Sequence, residues 1–217
     1  MMEAPPVISH IEPGSVGPAK EINAAIRRDL QGTTSRCEEG PPSAKERADW
    51  KRLSQPRELE AVPLVALVKK PEQDLVFEVY SRLLDRLYTV GFTAMTRAEQ
   101  NVYLVRALEA EVKNGGFDQF FSNSSGNCAL RTSAALAEMP GFSPWAAIYG
   151  RALQRFPSGR PSEDRATRGA QLDAMSDESR NWWSIEGDFF KLPSSDPLLA
   201  AYIRGRISSF PKVVPRP

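Results

Sequence analysis

The sequence predicts an all-α fold: a multi-helix domain with a Gly-Gly corner between two helices and a largely disordered N-terminal arm. Three observations predict it. Apolar residues from Leu75 to Tyr88 recur at three-and-four spacing, the period of one helix face. Helix-start signals punctuate the chain at Thr96 with Glu99, at Ser143-Pro144 and at Asp196-Pro197. The stretch Glu111–Asn127, EVKNGGFDQFFSNSSGN, joins an Asn-Gly-Gly break to three phenylalanines at helical spacing.

Residues 1–56 carry Pro5-Pro6, Pro13-Gly14, Gly17-Pro18 and Gly40-Pro41-Pro42. They hold too few apolar residues to offset the entropy of ordering, and read as a disordered arm. Within them Glu21–Leu30 has Ile22, Ile26 and Leu30 on one side and suits a short helix. Residues 57–71 form a linker or short ordered segment. A short buried strand and an extended linker both fit, and Pro63 and Pro71 argue against a long helix.

The domain proper spans 72–210. Pro71 opens a helix that buries Leu75, Val76, Val79, Tyr80, Leu83, Leu84, Leu87 and Tyr88. Glu78, Arg82 and Arg86 on its outer face read as solvated ion pairs, and Gly91 stops it. Thr96 and Glu99 form a capping box for a helix that runs to about Lys113. Cys128–Met139 is a small-residue helix, broken by Pro140-Gly141. Ser143 caps a helix over Pro144–Phe156. Ser162 caps another over about 163–181, with Trp182-Trp183 at its end and Phe189-Phe190 in a less regular stretch. The last helix starts at Asp196-Pro197, and 211–217 is a loose tail.

At the centre, Asn114, Gly115 and Gly116 supply a turn, because Asn and Gly enter the left-handed region at low cost. Phe117, Phe120 and Phe121 supply core, and Gln119 and Asn123 form a polar stripe expected to bond local backbone. Glu111 sits in a helix's last turn, where a carboxylate opposes the helix dipole. It is expected to reach forward and accept backbone N–H groups near Gly116 and Phe117.

Composition narrows the function classes. The formal net charge is +1 over 217 residues, which excludes a strongly basic nucleic-acid binder or a strongly acidic protein as a whole. No apolar run spans a bilayer and the first residues show no secretory pattern. Cys37 and Cys128 are the only cysteines, and one lies in the arm, so no disulfide is expected and a cytoplasmic setting fits. The single histidine, His10, lies in the arm, which removes histidine triads and histidine metal sites. No phosphate-loop, dinucleotide or nucleophile-elbow motif occurs. No cofactor, metal or catalytic residue is assigned. A carboxylate pair, Glu111 with Asp118, is the one enzyme-like alternative. Trp182, Trp183, Phe189 and Phe190 read as core closing from the C-terminal side, or as an oligomerisation patch.

EVKNGGFDQFFSNSSGN, preceded by the helix with Tyr103 and Leu104, resembles the C-terminal domain of the bacterial DNA mimic protein family, over about residues 72–209. The resemblance implies an all-helical fold and a non-catalytic protein-interaction role. It implies a helix-turn-helix regulator or a toxin as partner, homodimer formation, and no direct contact with nucleic acid or membrane. Mimicry needs carboxylates spaced like phosphates on one face. The stretch that offers them is Asp173, Asp177, Glu178, Glu186 and Asp188, interrupted by Arg180. An ordinary solvated face is the competing reading.

Overall fold

A computed structural model describes residues 43–53 and 64–210. Ten α-helices follow one another among these residues, with no strand: α1 (Ala44–Leu53), α2 (Leu64–Leu67), α3 (Glu72–Val90), α4 (Arg97–Ser122), α5 (Ala129–Glu138), α6 (Ser143–Leu153), α7 (Arg165–Asp173), α8 (Asp177–Arg180), α9 (Trp183–Phe190) and α10 (Asp196–Gly205). The all-α expectation is met. The helix expected over Glu21–Leu30 lies outside the described residues.

α4 is the axis of the bundle. It packs against α3, α5, α7, α9 and α10, while α3 also meets α10 and α1. A helix surrounded on every side should be apolar all round, and α4 buries residues on all its faces. α3 is surrounded on one side only, and buries the eight residues that its spacing predicts. The capping box at Thr96 is formed in both directions: Glu99 N–H donates to the Thr96 hydroxyl, and Thr96 N–H donates to Glu99 Oε2 at 2.8 Å.

Several expectations are corrected. Leu64–Leu67 is a helical turn that buries Leu64 and Leu67, not a strand. Arg86 does not sit in a solvated ion pair: its Nε lies 2.7 Å from Glu99, whose side chain is fully enclosed. The helix expected over 163–181 is two helices, because Asp164 caps α7 through the Thr167 N–H and Ser176 caps α8 through the Ser179 N–H. Two good caps within thirteen residues end one helix by starting another. Phe189 and Phe190 lie in a regular helix, α9. Ser143 is the first residue of α6, and Phe142 precedes it as cap. Cys128 is buried just before α5, and Cys37, the other cysteine of the no-disulfide expectation, lies outside the described residues.

Candidate functional site

α4 is helical on both sides of a break. Gly115 (φ −155°, ψ 24°) and Gly116 (φ 75°, ψ −174°) leave helical geometry, and the chain resumes as helix at Phe117. The positive φ at Gly116 suits glycine, and a Cβ there would collide with the Glu186 carboxylate. A restarted helix exposes orphan N–H groups at its first turn. Phe117 N–H donates to Glu186 Oε1 at 2.8 Å, so a carboxylate from α9 caps the second half of α4. That role was expected of Glu111.

Glu111 turns to side chains instead. It is fully enclosed, and accepts from Gln119 Nε2, from Asn123 Nδ2 at 3.2 Å to both oxygens, and from Ser125 Oγ at 3.1 Å. Gln119 Oε1 in turn accepts from Asn114 Nδ2 at 3.0 Å. Gln119 and Asn123 therefore hold a carboxylate rather than local backbone. Burial pushes the Glu111 carboxyl above its ordinary range, and the Gln119, Asn123 and Ser125 donors oppose the shift. The cradle bridges the break: Glu111 lies before it and all three donors lie after.

The three phenyl rings that follow the corner are buried, as the spacing predicts. Phe117 packs edge-on to Phe189 at 5.6 Å, and Phe121 packs on Phe156 at 4.7 Å and Trp182 at 5.6 Å. The C-terminal end of α4 is held by Arg168, which sequence reading missed. Its buried guanidinium donates from Nε to Phe121 O (2.6 Å), from Nη1 to Ser162 O (2.6 Å), and from Nη2 to Asn123 O (2.8 Å) and Asn127 Oδ1. A cation at a helix C-terminus satisfies its last carbonyls. Burial lowers the Arg168 pKa to about 10. Gly126 makes room: a Cβ there would stand 2.6 Å from Arg168 Nε and 2.8 Å from Phe121 O. No local pattern announces this arginine, since its partners lie 41–47 residues upstream or in a loop. Glu109, also missed, was more legible: Arg106 (2.9 Å) and Lys113 (2.6 Å) reach it at helical spacing, and it accepts from Ser195 at the start of α10.

The five carboxylates read as an acidic patch are not equivalent. Asp173 is exposed and 3.3 Å from Arg180, whose Nε also pairs with Asp118 at 2.9 Å. Asp177 and Glu178 open α8, are exposed, and have no ion pair among the described residues. Glu186 is committed to the corner. Asp188 is clamped between Arg151 (2.6 Å) and Lys191 (3.2 Å). Asp173 and Asp177, placed four apart on one expected helix, belong to two. Glu111 and Asp118 have separate partners: Glu111 is enclosed with Gln119, Asn123 and Ser125, and Asp118 pairs with Arg180 on the surface. Among the described residues, no three His, Cys, Asp or Glu side chains are grouped to hold a metal ion, and no helix is long and apolar enough to cross a membrane.

The aromatic cluster divides. Trp182 and Phe189 are core, whereas Trp183 is 85 % and Phe190 53 % exposed.

A family model described as DMP19-like protein matches residues 93–206, just over half of the chain. The matched segment holds the corner, the Glu111 cradle, Arg168 and α5 to α10. It carries thirteen acidic and thirteen basic residues. No curated protein and no solved structure matches the chain.

Proposed function

We propose that this chain, which belongs to the DMP19-like protein family, is a non-catalytic protein-interaction domain. In this reading it offers Asp173, Asp177 and Glu178 to the basic, DNA-binding surface of a regulator or to a toxin. The observation that carries it is the state of α8. Most other acidic side chains of the matched segment are spent on arginine, lysine or a helix N-terminus, whereas Asp177 and Glu178 stand exposed and unpaired among the described residues. A basic partner would regain there the charge pairing it makes with phosphates. Because the segment is charge-balanced, the mimicry is local rather than molecule-wide. The fully enclosed Glu111, held only by neutral donors, reads as a structural brace for the corner.

A cytoplasmic location suits such a partner. Acid-quenched alkylation of the cellular protein tests it, with Cys128 reduced as the expected result. The test of function is capture from the native cell with wild type and with a D173A/D177A/E178A variant. A DNA-binding protein captured by the first and lost by the second supports the reading; an unchanged set of captured proteins counts against it.

A further inference from the structure

The break in α4 sets one asparagine apart from the others. Asn114-Gly115 is the only Asn-Gly pair in the sequence. Both residues are exposed, and Asn114 is the last helical residue before Gly115 and Gly116 leave helical geometry. Asparagine is a thermolabile side chain. A following glycine makes it more so, because the glycine nitrogen can attack the side-chain carbonyl with no Cβ in the way. Inside an unbroken helix the attack is suppressed, since the hydrogen-bond ladder pins the backbone on both sides of the asparagine. Here the ladder is cut just beyond it. Phe117 N–H, which in a continuous helix would donate to Lys113 O, donates to Glu186 Oε1 at 2.8 Å. One hydrogen bond holds the side chain among the described residues: Asn114 Nδ2 donates to Gln119 Oε1 at 3.0 Å, at the surface. Asn123, which precedes Ser124, is tethered by contrast: it is half-buried and gives its Nδ2 to both Glu111 oxygens at 3.2 Å.

We propose that Asn114-Gly115 is a self-modification site, at which the folded corner converts its own asparagine to aspartate and isoaspartate. The Gly115 nitrogen, deprotonated by hydroxide, bonds to Asn114 Cγ. The Cγ–Nδ2 bond breaks, and ammonia leaves with a proton taken from water. The five-membered succinimide ring that results takes up one water at either of its carbonyls. Opening on one side gives aspartate, and on the other isoaspartate, which adds a methylene to the backbone. Either product reaches the enclosed carboxylate. It puts an acceptor where Gln119 Oε1 now meets a donor. To serve the new carboxylate, Gln119 turns its Nε2 outward and presents Oε1 to Glu111, which then keeps only Asn123 and Ser125. A buried charge that loses a donor loses stability, so a change at the surface loosens the corner from within.

Mass reports the conversion. The folded full chain and a synthetic peptide of residues 111–119 are incubated at mildly alkaline pH and digested at acid pH, where the reaction is slow. Fragmentation of the digest separates position 114 from Asn123. Wild type is expected to gain one dalton at 114, about tenfold more slowly than the peptide, the retardation of a local opening, and to become a substrate for an isoaspartate methyltransferase. N114Q, whose longer side chain closes the ring poorly, should gain nothing. E186A, which uncaps the far side of the corner, should speed the gain. N114D, which carries the product's charge, should lower the urea midpoint at neutral pH, and the loss should shrink in an E111Q background, where no buried charge is left to strand. No gain at 114 in folded wild type once the peptide has fully converted overturns the proposal. An N114D loss of the same size with and without E111Q overturns the route through Gln119.

Discussion

Glu186 and Phe117 are 69 residues apart in the chain, yet the Glu186 carboxylate accepts the Phe117 backbone N–H at 2.8 Å. The contact ties α9, which carries the exposed aromatic face, to the corner in α4 on which the fold turns.

Removing that cap should be measurable but not fatal. E186A is expected to cost about 1 kcal/mol, the usual worth of an N-terminal cap. G116A should cost more, since it adds a strained positive φ to a collision with the same carboxylate. The double variant should cost less than the sum, because the collision vanishes with Glu186. Urea unfolding of the four proteins closes the cycle, and strict additivity would show that the carboxylate and Gly116 do not meet.

Glu111 should give the fold a recognisable pH signature. Its folded pKa is raised above the ordinary carboxylate value, mainly by burial, so the folded state holds its proton more tightly than the unfolded state. Its contribution is then greatest at low pH and is lost as pH rises from the unfolded pKa through the folded one. Glu109 acts in the opposite sense. Burial raises its pKa, but Lys113, Ser195 and Arg106 outweigh burial and leave it lowered. The wild-type minus E111Q difference in stability isolates Glu111 and should fall as pH rises. A flat or rising difference would refute the assignment. E111A, which strands three donors, is expected to cost about 3 kcal/mol at neutral pH.

Arg168 should resist its conservative replacement. Lysine keeps the charge but lacks the planar fork that serves Phe121 O, Asn123 O, Ser162 O, Glu163 O and Asn127 Oδ1. R168K is expected to destabilise by about 2 kcal/mol, and R168M by more, with thermal unfolding as the readout. G126A should resemble R168K, because it displaces the same guanidinium.

Arg180 should matter for binding rather than stability. Its pairs with Asp118 and Asp173 are solvent-exposed, so R180A is expected to change stability by less than about 1 kcal/mol. It frees two carboxylates beside α8, and capture of a basic partner should become stronger and more sensitive to salt. Weaker capture would place Arg180 itself in the interface.

What the sequence by itself determined was local. The period of α3 chose its buried face, Thr96 and Glu99 set the start of α4, and two glycines broke it before three phenylalanines. Each of these needs only neighbours within about one helical turn. The family relationship was legible for the same reason, because its motif is one contiguous stretch. What only the tertiary structure decided was which distant side chains complete the corner. Glu186 instead of Glu111 caps it, Gln119 and Asn123 turn to a carboxylate instead of backbone, and Arg168 closes the end of α4. A buried polar group takes whichever partner the packing brings within hydrogen-bond reach. The aromatic pair Trp182-Trp183 shows the same limit: adjacent residues on a helix point about 100° apart, and only the position of α4 decided which indole was covered and which was left to solvent.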